Sequence, residues 1–483
     1  MKRALVLGSA ILAACTVGPD YRPPSTPTPD VYAGSTGQGG LGDAELAFWW
    51  RSFGDAQLDA LVNRAIARNL DVQTAAARLR EARAQEIFAG AASRPQAGAQ
   101  ASVSRQRISE NAIPVPPGPG PGEGTGFAPP GSQFSTFRVG FDASWEIDLF
   151  GRTRRSIEAA GARTGEALWT RRDVQVSVAA EVADAYLALR TLQHRIATAE
   201  AELARQQRSG QLVAARARGG LVTGLDLEQQ KSERSAAAAA IPALRSRVEA
   251  QIHALGVLTG DAPEALIAEL SPAAALPGVP PQIPAGLPSD LLRRRPDIRA
   301  AERELAASTA DIGVAVADLY PRFSLTAAPA LVSTALGSLL EWGSRSVSAR
   351  AALDWPVADG GRTRGNIEVA NARQEQALIA YRKCVLRALQ DVEDALSRSD
   401  GDRRQLADLE EALRAATRAE EIARTRYRGG LVTLSDVLQA QARRLKLEDQ
   451  LTQTRGALAR DAVALFKALG GGWPELSQSG AQP

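Results

Sequence analysis

Large rings are scarce in this 483-residue chain: aromatic residues make up 5% of it, and histidine and cysteine occur twice each. So few rings argue against a thick globular core, and an apolar fraction of 45%, drawn mostly from Ala, Leu and Val, suits long helices packed closely. His194 and His253 stand alone in helical stretches, without neighbours spaced for metal ligation or proton transfer. No nucleophile, metal or cofactor constellation is present elsewhere, so the pattern points away from an enzyme and from a metal or cofactor requirement. A surplus of one charge is missing too: 57 Lys and Arg face 54 Asp and Glu. With no basic stripe interleaved with aromatics, nucleic acid is not an expected partner. Gly118, Gly120, Gly122 and Gly124 imitate a phosphate loop only superficially, since Pro119 and Pro121 between them remove backbone donors.

The apolar run Ala4 to Leu12 is far too short to cross a bilayer as a helix. With Lys2-Arg3 before it and Leu12-Ala13-Ala14-Cys15 after it, it reads as a targeting segment, residues 1–14. The ending resembles a bacterial lipobox, which implies cleavage before Cys15 and attachment of acyl chains to it; an ordinary signal peptide ending near a cysteine is the alternative. Acylation of Cys15 would leave Cys384 without a disulfide partner, and its apolar helical setting reads as a buried thiol. Residues 15–47, rich in Pro and Gly and without a sustained period, read as an extended tether.

What the chain does have is itself twice. Arg218-Gly219-Gly220-Leu221-Val222-Thr223 recurs as Arg428-Gly429-Gly430-Leu431-Val432-Thr433, and Trp145 with Gly151-Arg152-Thr153-Arg154 recurs as Trp355 with Gly361-Arg362-Thr363-Arg364, both 210 positions on (428 − 218; 355 − 145). Asp71 and Pro95 answer to Asp297 and Pro321 at 226 (297 − 71; 321 − 95). The surplus of sixteen (226 − 210) falls at Pro114 to Pro130, which reads as a longer loop in the first copy. The copies are assigned to residues 48–270 and 287–473, with a Pro-rich connector at 271–286 and a polar tail at 474–483.

Within each copy the period changes. A helical run from about Leu58 continues to about Ser93, where Pro95 breaks it. Phe137, Val139, Phe141, Ala143 and Trp145 then alternate with polar residues, and Val347, Ala349, Ala351, Leu353 and Trp355 repeat that design. Phe323, Leu325 and Ala327 suggest a third strand, and Ala97 to Arg107 a weaker fourth. Such strands fit either a half-buried soluble sheet or a transmembrane barrel wall; four cannot close a barrel, so the second reading requires an oligomer. Beyond Gly151 a helix runs to Arg218, with Val182, Leu189, Ile196 and Leu203 at seven-residue spacing, a coiled-coil seam. Val392, Leu406 and Leu413 keep that register in the second copy, and Leu451, Leu458 and Leu465 keep it on the return helix.

The order of Cys15-Thr16-Val17-Gly18-Pro19-Asp20-Tyr21, Trp49-Trp50 with Phe53-Gly54-Asp55, Trp145-Glu146-Ile147-Asp148-Leu149-Phe150-Gly151-Arg152 and Arg294-Arg295-Pro296-Asp297-Ile298 resembles the outer membrane factor family, the lipoprotein channels similar to OprM, NodT and TolC. The resemblance implies a mainly α fold with transmembrane β: a homotrimer whose twelve strands, four per chain, close a barrel in the outer membrane of a Gram-negative cell, continuous with a long periplasmic coiled-coil barrel. It implies a passive exit duct of a tripartite efflux system, served by a periplasmic adaptor and an inner-membrane transporter, of the RND type for drugs or other small toxic compounds. A periplasmic scaffold or adaptor lipoprotein, and the outer membrane channel of a protein secretion system, are the alternatives.

That resemblance assigns the candidate residues. The tips Arg218, Gly219, Gly220, Arg428, Gly429 and Gly430 would meet the adaptor, although a tight helix reversal alone would account for the glycines. Asp436, Gln439, Tyr427 and Asp226 would form the periplasmic gate, with Gln439 standing where relatives carry a second aspartate. Capping boxes Thr223-x-x-Asp226 and Thr433-x-x-Asp436 offer a local role instead. Trp145 and Trp355 would anchor the membrane interface among outer membrane lipids, with Arg152, Arg154, Arg362 and Arg364 either near headgroups or paired with Asp148, Asp359 or a neighbouring helix.

Overall fold

The computed structural model describes residues 16–34, 39–109, 133–220, 222–280 and 283–473. Residues 1–14, Cys15, the stretch 114–130 with its alternating glycines, Leu221 and the tail 474–483 lie outside the described residues. The duplication is residue for residue in the long helices. Helix α1 (Ala56–Arg68) precedes α2 (Leu70–Ala91), β1 (Gln96–Arg107) and β2 (Gln133–Ile147), followed by α3 (Arg152–Arg218) and α4 (Gly224–Leu258). The second copy gives α5 (Pro296–Ala317), β3 (Arg322–Ser333), β4 (Arg345–Asp354), α6 (Arg362–Arg428) and α7 (Leu434–Ala468). Both first long helices have 67 residues and both return helices 35, with every boundary displaced by the 210 positions of the repeat. At 1.5 Å per residue α3 and α6 are each about 100 Å long. No helix among the described residues is long and apolar enough to cross a membrane.

The chain forms two compact units that cut across the copies, one holding Ala82–Thr164 and Glu304–Ala377 with residues up to Arg22, the other Pro23–Glu81, Gly165–Arg303 and the chain from Leu378. The first contains the sheet, an antiparallel meander in the order β1-β2-β3-β4. Directly paired residues share a face. One face therefore carries Ala99, Phe141, Ala101, Val139, Leu331 and Val347, and the other Ser102, Arg138, Thr326, Arg350 and Ser348. The alternation read from β2 and β4 thus holds across all four strands, including β1, whose apolar side is mostly alanine. Nothing among the described residues packs a second layer on it: Phe141 is 63% exposed and Val347 78%.

The second unit holds the main core. Trp49 and Trp50, on a 3₁₀ turn, join Leu58, Leu61, Leu187, Leu189, Ile252 and Phe466. Two expectations change here. The helical run before Pro95 is broken at Asn69, whose side-chain oxygen accepts from the amides of Asp71 (2.8 Å) and Val72 (3.2 Å) while its amide donates to Leu258 O (2.9 Å). Asn is a good N-cap, which is the physical reason the helix restarts. The tether residues that are described are docked: Tyr32 is buried and the amides of Ala33 and Gly34 donate to the Glu393 carboxylate.

Candidate functional site

Each pair of long helices reverses through the same device. The chain enters the left-handed region at Gly220 (φ 70°) and Gly430 (φ 72°), and not at Gly219 or Gly429. Amides of Gly220 and Gly430 donate to Ala217 O and Tyr427 O, closing the last turns of α3 and α6. Gly430→Ala is expected to destabilise the hairpin by about 1 kcal/mol through backbone strain, since nothing lies near its missing Cβ. Gly429→Ala, with ordinary φ and no contact closer than 3.5 Å, should be nearly neutral. Urea unfolding of the two variants side by side checks this.

The return helices start on Thr223 and Thr433. Their hydroxyls accept from the amides of Asp226 (3.2 Å) and Asp436 (3.3 Å), and each aspartate takes the threonine amide and hydroxyl on its Oδ2. Hydrogen bonds from Thr433 hold the Asp436 carboxyl below its usual range, so it is ionised at neutral pH. Both aspartates are capping residues, as the spacing allowed, and both keep Oδ1 out of the cap. Asp436 and Gln439 are exposed three residues apart on α7. A groove of about 630 Å³ lies between the two turns, lined by Arg216, Leu225, Asp226, Gln229, Tyr427 and Arg428 among others. Tyr427 packs on Val213, Leu434 and Leu438 under the Arg216 guanidinium, with its hydroxyl buried and unpartnered among the described residues. Arg218 and Arg428 are exposed.

At the sheet, Trp145 and Trp355 play equivalent parts. Their indole N–H groups donate to Ser93 O (3.2 Å) and Leu319 O (3.0 Å), 226 positions apart (319 − 93), so each ring ties down the turn between the helix and the strand of its hairpin. Half-exposed rings tied at one end suit an interface between apolar and wet surroundings. The arginines divide: Arg152 pairs with Asp318 (3.1 Å) and Arg154 with Asp148 (3.4 Å). Asp359 instead caps α6, accepting from the amides of Gly361 (2.9 Å) and Thr363 (2.8 Å).

Two functional arrangements had no signal in sequence periodicity. The first is a clasp for the N-terminal strand of chain: Val17 N donates to Phe150 O (3.1 Å), and buried Arg155 donates to Val17 O (3.3 Å) and Asp20 (2.6 Å). The second is a buried polar hub. Arg444 of α7 donates to Glu202 of α3 (3.1 Å) and to Glu420 of α6 and Glu448, while Gln206 bridges Glu202 and Gln230. Four long helices from both copies meet there.

The sequence profile of the family described as Outer membrane efflux protein matches residues 61–261 and 287–471. The pyoverdine export outer membrane protein OpmQ of Pseudomonas aeruginosa is 33% identical over 435 residues, covering 90% of this chain and 89% of that protein. The solvent efflux pump outer membrane protein SrpC of Pseudomonas putida is 30% identical over 468 residues, 96% of each. Among solved structures, the outer-membrane channel OprN superposes with a TM-score of 0.86 at 33% identity, over 95% of this chain and all of that one (100%).

Proposed function

Since the chain belongs to the outer membrane efflux protein family and is an outer membrane efflux channel in kind, we propose that it is the passive exit duct of a tripartite pump, lipid-anchored through Cys15 and assembled as a homotrimer. The observation that carries this reading is the four-stranded sheet with one largely apolar face and, among the described residues, two unpaired edges. Open edges are not tolerated in lipid, and three copies closing edge to edge leave none. A scaffold would have no use for such a sheet.

Arg218 and Arg428, with the glycines beside them, would receive the periplasmic adaptor, each guanidinium donating to carbonyls or carboxylates across the contact. An RND-type transporter would supply the energy and choose the cargo; small toxic organic compounds fit SrpC, a solvent efflux pump protein, whereas OpmQ is named for pyoverdine export. In a trimer, Asp436 would add three carboxylates to the tunnel mouth while its Oδ2 still caps α7, with Asp226, Tyr427 and Gln439 beside it. A ring of acids favours cations and narrows a pore. Gln439→Asp is therefore expected to lower single-channel conductance and raise cation preference, and Asp436→Asn to do the reverse. If both variants conduct like wild type, the gate does not lie here. Fractionation tests the whole reading: a heat-sensitive trimer in outer membrane fractions is expected, and a soluble monomer in the periplasm after Cys15→Ser would overturn it.

A further inference from the structure

The apolar face of the sheet ends differently at its two ends. Near the helices it finishes on Trp145, Phe323 and Leu353. At the remote end the same face finishes on arginine: Arg345 of β4, opposite Leu331, and Arg105 and Arg107 of β1, opposite Ser135 and Gln133. The connection between β3 and β4 presents Leu336, Leu340 and Trp342 at 67%, 85% and 77% exposure. Arg345 lies over the Trp342 ring, 3.0 Å from its centroid, and Arg105 donates to the neutral side chain of Gln133 at 3.2 Å. Neither Arg345 nor Arg105 makes an ion pair among the described residues, although Glu341 stands in the same connection.

We propose that this end of the sheet is a binding collar for a lipid with a phosphorylated headgroup. The proposal rests on the channel reading, because it needs the apolar face to meet acyl chains. Partner copies occupy the edges of the sheet, β1 and β4, and leave this face free, so the occupant is lipid and not a second chain. A guanidinium presents a planar fork that matches phosphate oxygens in pairs, and stacking on a ring fixes its plane beforehand. Leu340 and Trp342 then cover the junction between headgroup and acyl chains, where an indole is at home. Arg345 and Arg105 hold the phosphates.

The test uses full-length protein in phosphatidylcholine nanodiscs doped with diphosphoryl lipid A, with bound lipid A counted by native mass spectrometry. Wild type is expected to retain lipid A, and the double variant Arg105→Ser/Arg345→Ser to bind it about thirty-fold more weakly. Arg345→Lys, which keeps the charge without the fork, should fall between them. Arg350→Ser, on the opposite face of the same strand, should bind as wild type does. Retention by the double variant, an equal loss in Arg350→Ser, or displacement of lipid A by inorganic phosphate would overturn the collar. The heat-sensitive trimer is scored on the same samples. A trimer without lipid A selectivity removes the collar alone, whereas a missing wild-type trimer removes the channel reading and the collar with it.

Discussion

Arg444→Met is expected to lower the stability of the folded chain by about 3 kcal/mol, seen as a fall in the urea midpoint. The reason lies in what is left behind. Glu202 and Glu420 have side chains only 4% and 8% exposed, and the Arg444 guanidinium joins them across three helices. Removing it leaves two buried carboxylates partly compensated, Glu202 by Arg205 (2.9 Å) and Glu420 by Arg424 (2.7 Å). Those remaining partners keep the cost at the lower end of the range for broken buried pairs. Adding Glu202→Gln and Glu420→Gln to the methionine variant should recover most of the loss, because an amide without charge can stay buried on one hydrogen bond. A loss below about 1 kcal/mol would mean that the three groups are solvated and carry little. The hub also marks where the copies part company. Positions 210 earlier hold Arg234 (444 − 210), which is exposed, and Gly210 (420 − 210), so the first copy contributes acceptors to this junction without building one of its own.

Trp49→Ala should cost about 3–5 kcal/mol, the usual result of emptying a ring-sized volume in a core. Trp49 is 1% exposed, stacked on Phe466 of α7 with centroids 5.1 Å apart and edge-on to Trp50 and Phe53. Gly471 and Gly472 press against the same indole, where an added Cβ would come within 3.0 and 3.2 Å of it. The ring therefore joins the 3₁₀ turn before α1 to the glycines that follow α7. Its N–H is buried without a partner among the described residues, so Trp49→Phe gives up packing but no hydrogen bond and should lose far less than the alanine variant. Equal losses in the two variants would show that the indole nitrogen is bonded after all, and urea midpoints of both decide the matter.

Much of this architecture is legible from residues alone because helix and strand periods are strong where one face is apolar. The alternation at Phe137 to Trp145 named the apolar face correctly, and Val182 and Leu189 are fully buried as the heptad requires. Further along the same helix the seam turns polar. Ile196 and Leu203 are only half-buried, and Glu202 and Gln206 take the inward positions. An unsupercoiled helix drifts by about 20° per heptad, enough to move the buried stripe off the seven-residue grid. A pattern that sorts charged residues outward could not find Arg444, Glu202 or Glu420, since Arg444 meets Glu202 from 242 residues away and Glu420 from 24. The Arg155 clasp escaped for the same reason, since its partners Val17 and Asp20 lie in a segment with no period. Among the candidate residues, the glycine turns and the capping aspartates sit where their spacing placed them, while only one glycine of each pair needs to be glycine.

The identical helix lengths set a rule for how such a chain can change. Inserting seven residues into α3 alone would restore its facing but lengthen it by about 10.5 Å, and α6 would no longer finish level with it. Inserting a single residue would turn everything beyond it by about 100°. The long helices of the two copies are thus free to diverge in letters, as Glu420 and Gly210 have done, but not in length: each is the gauge against which the other is cut, and any lineage that altered one span would have had to alter its twin by the same whole turns.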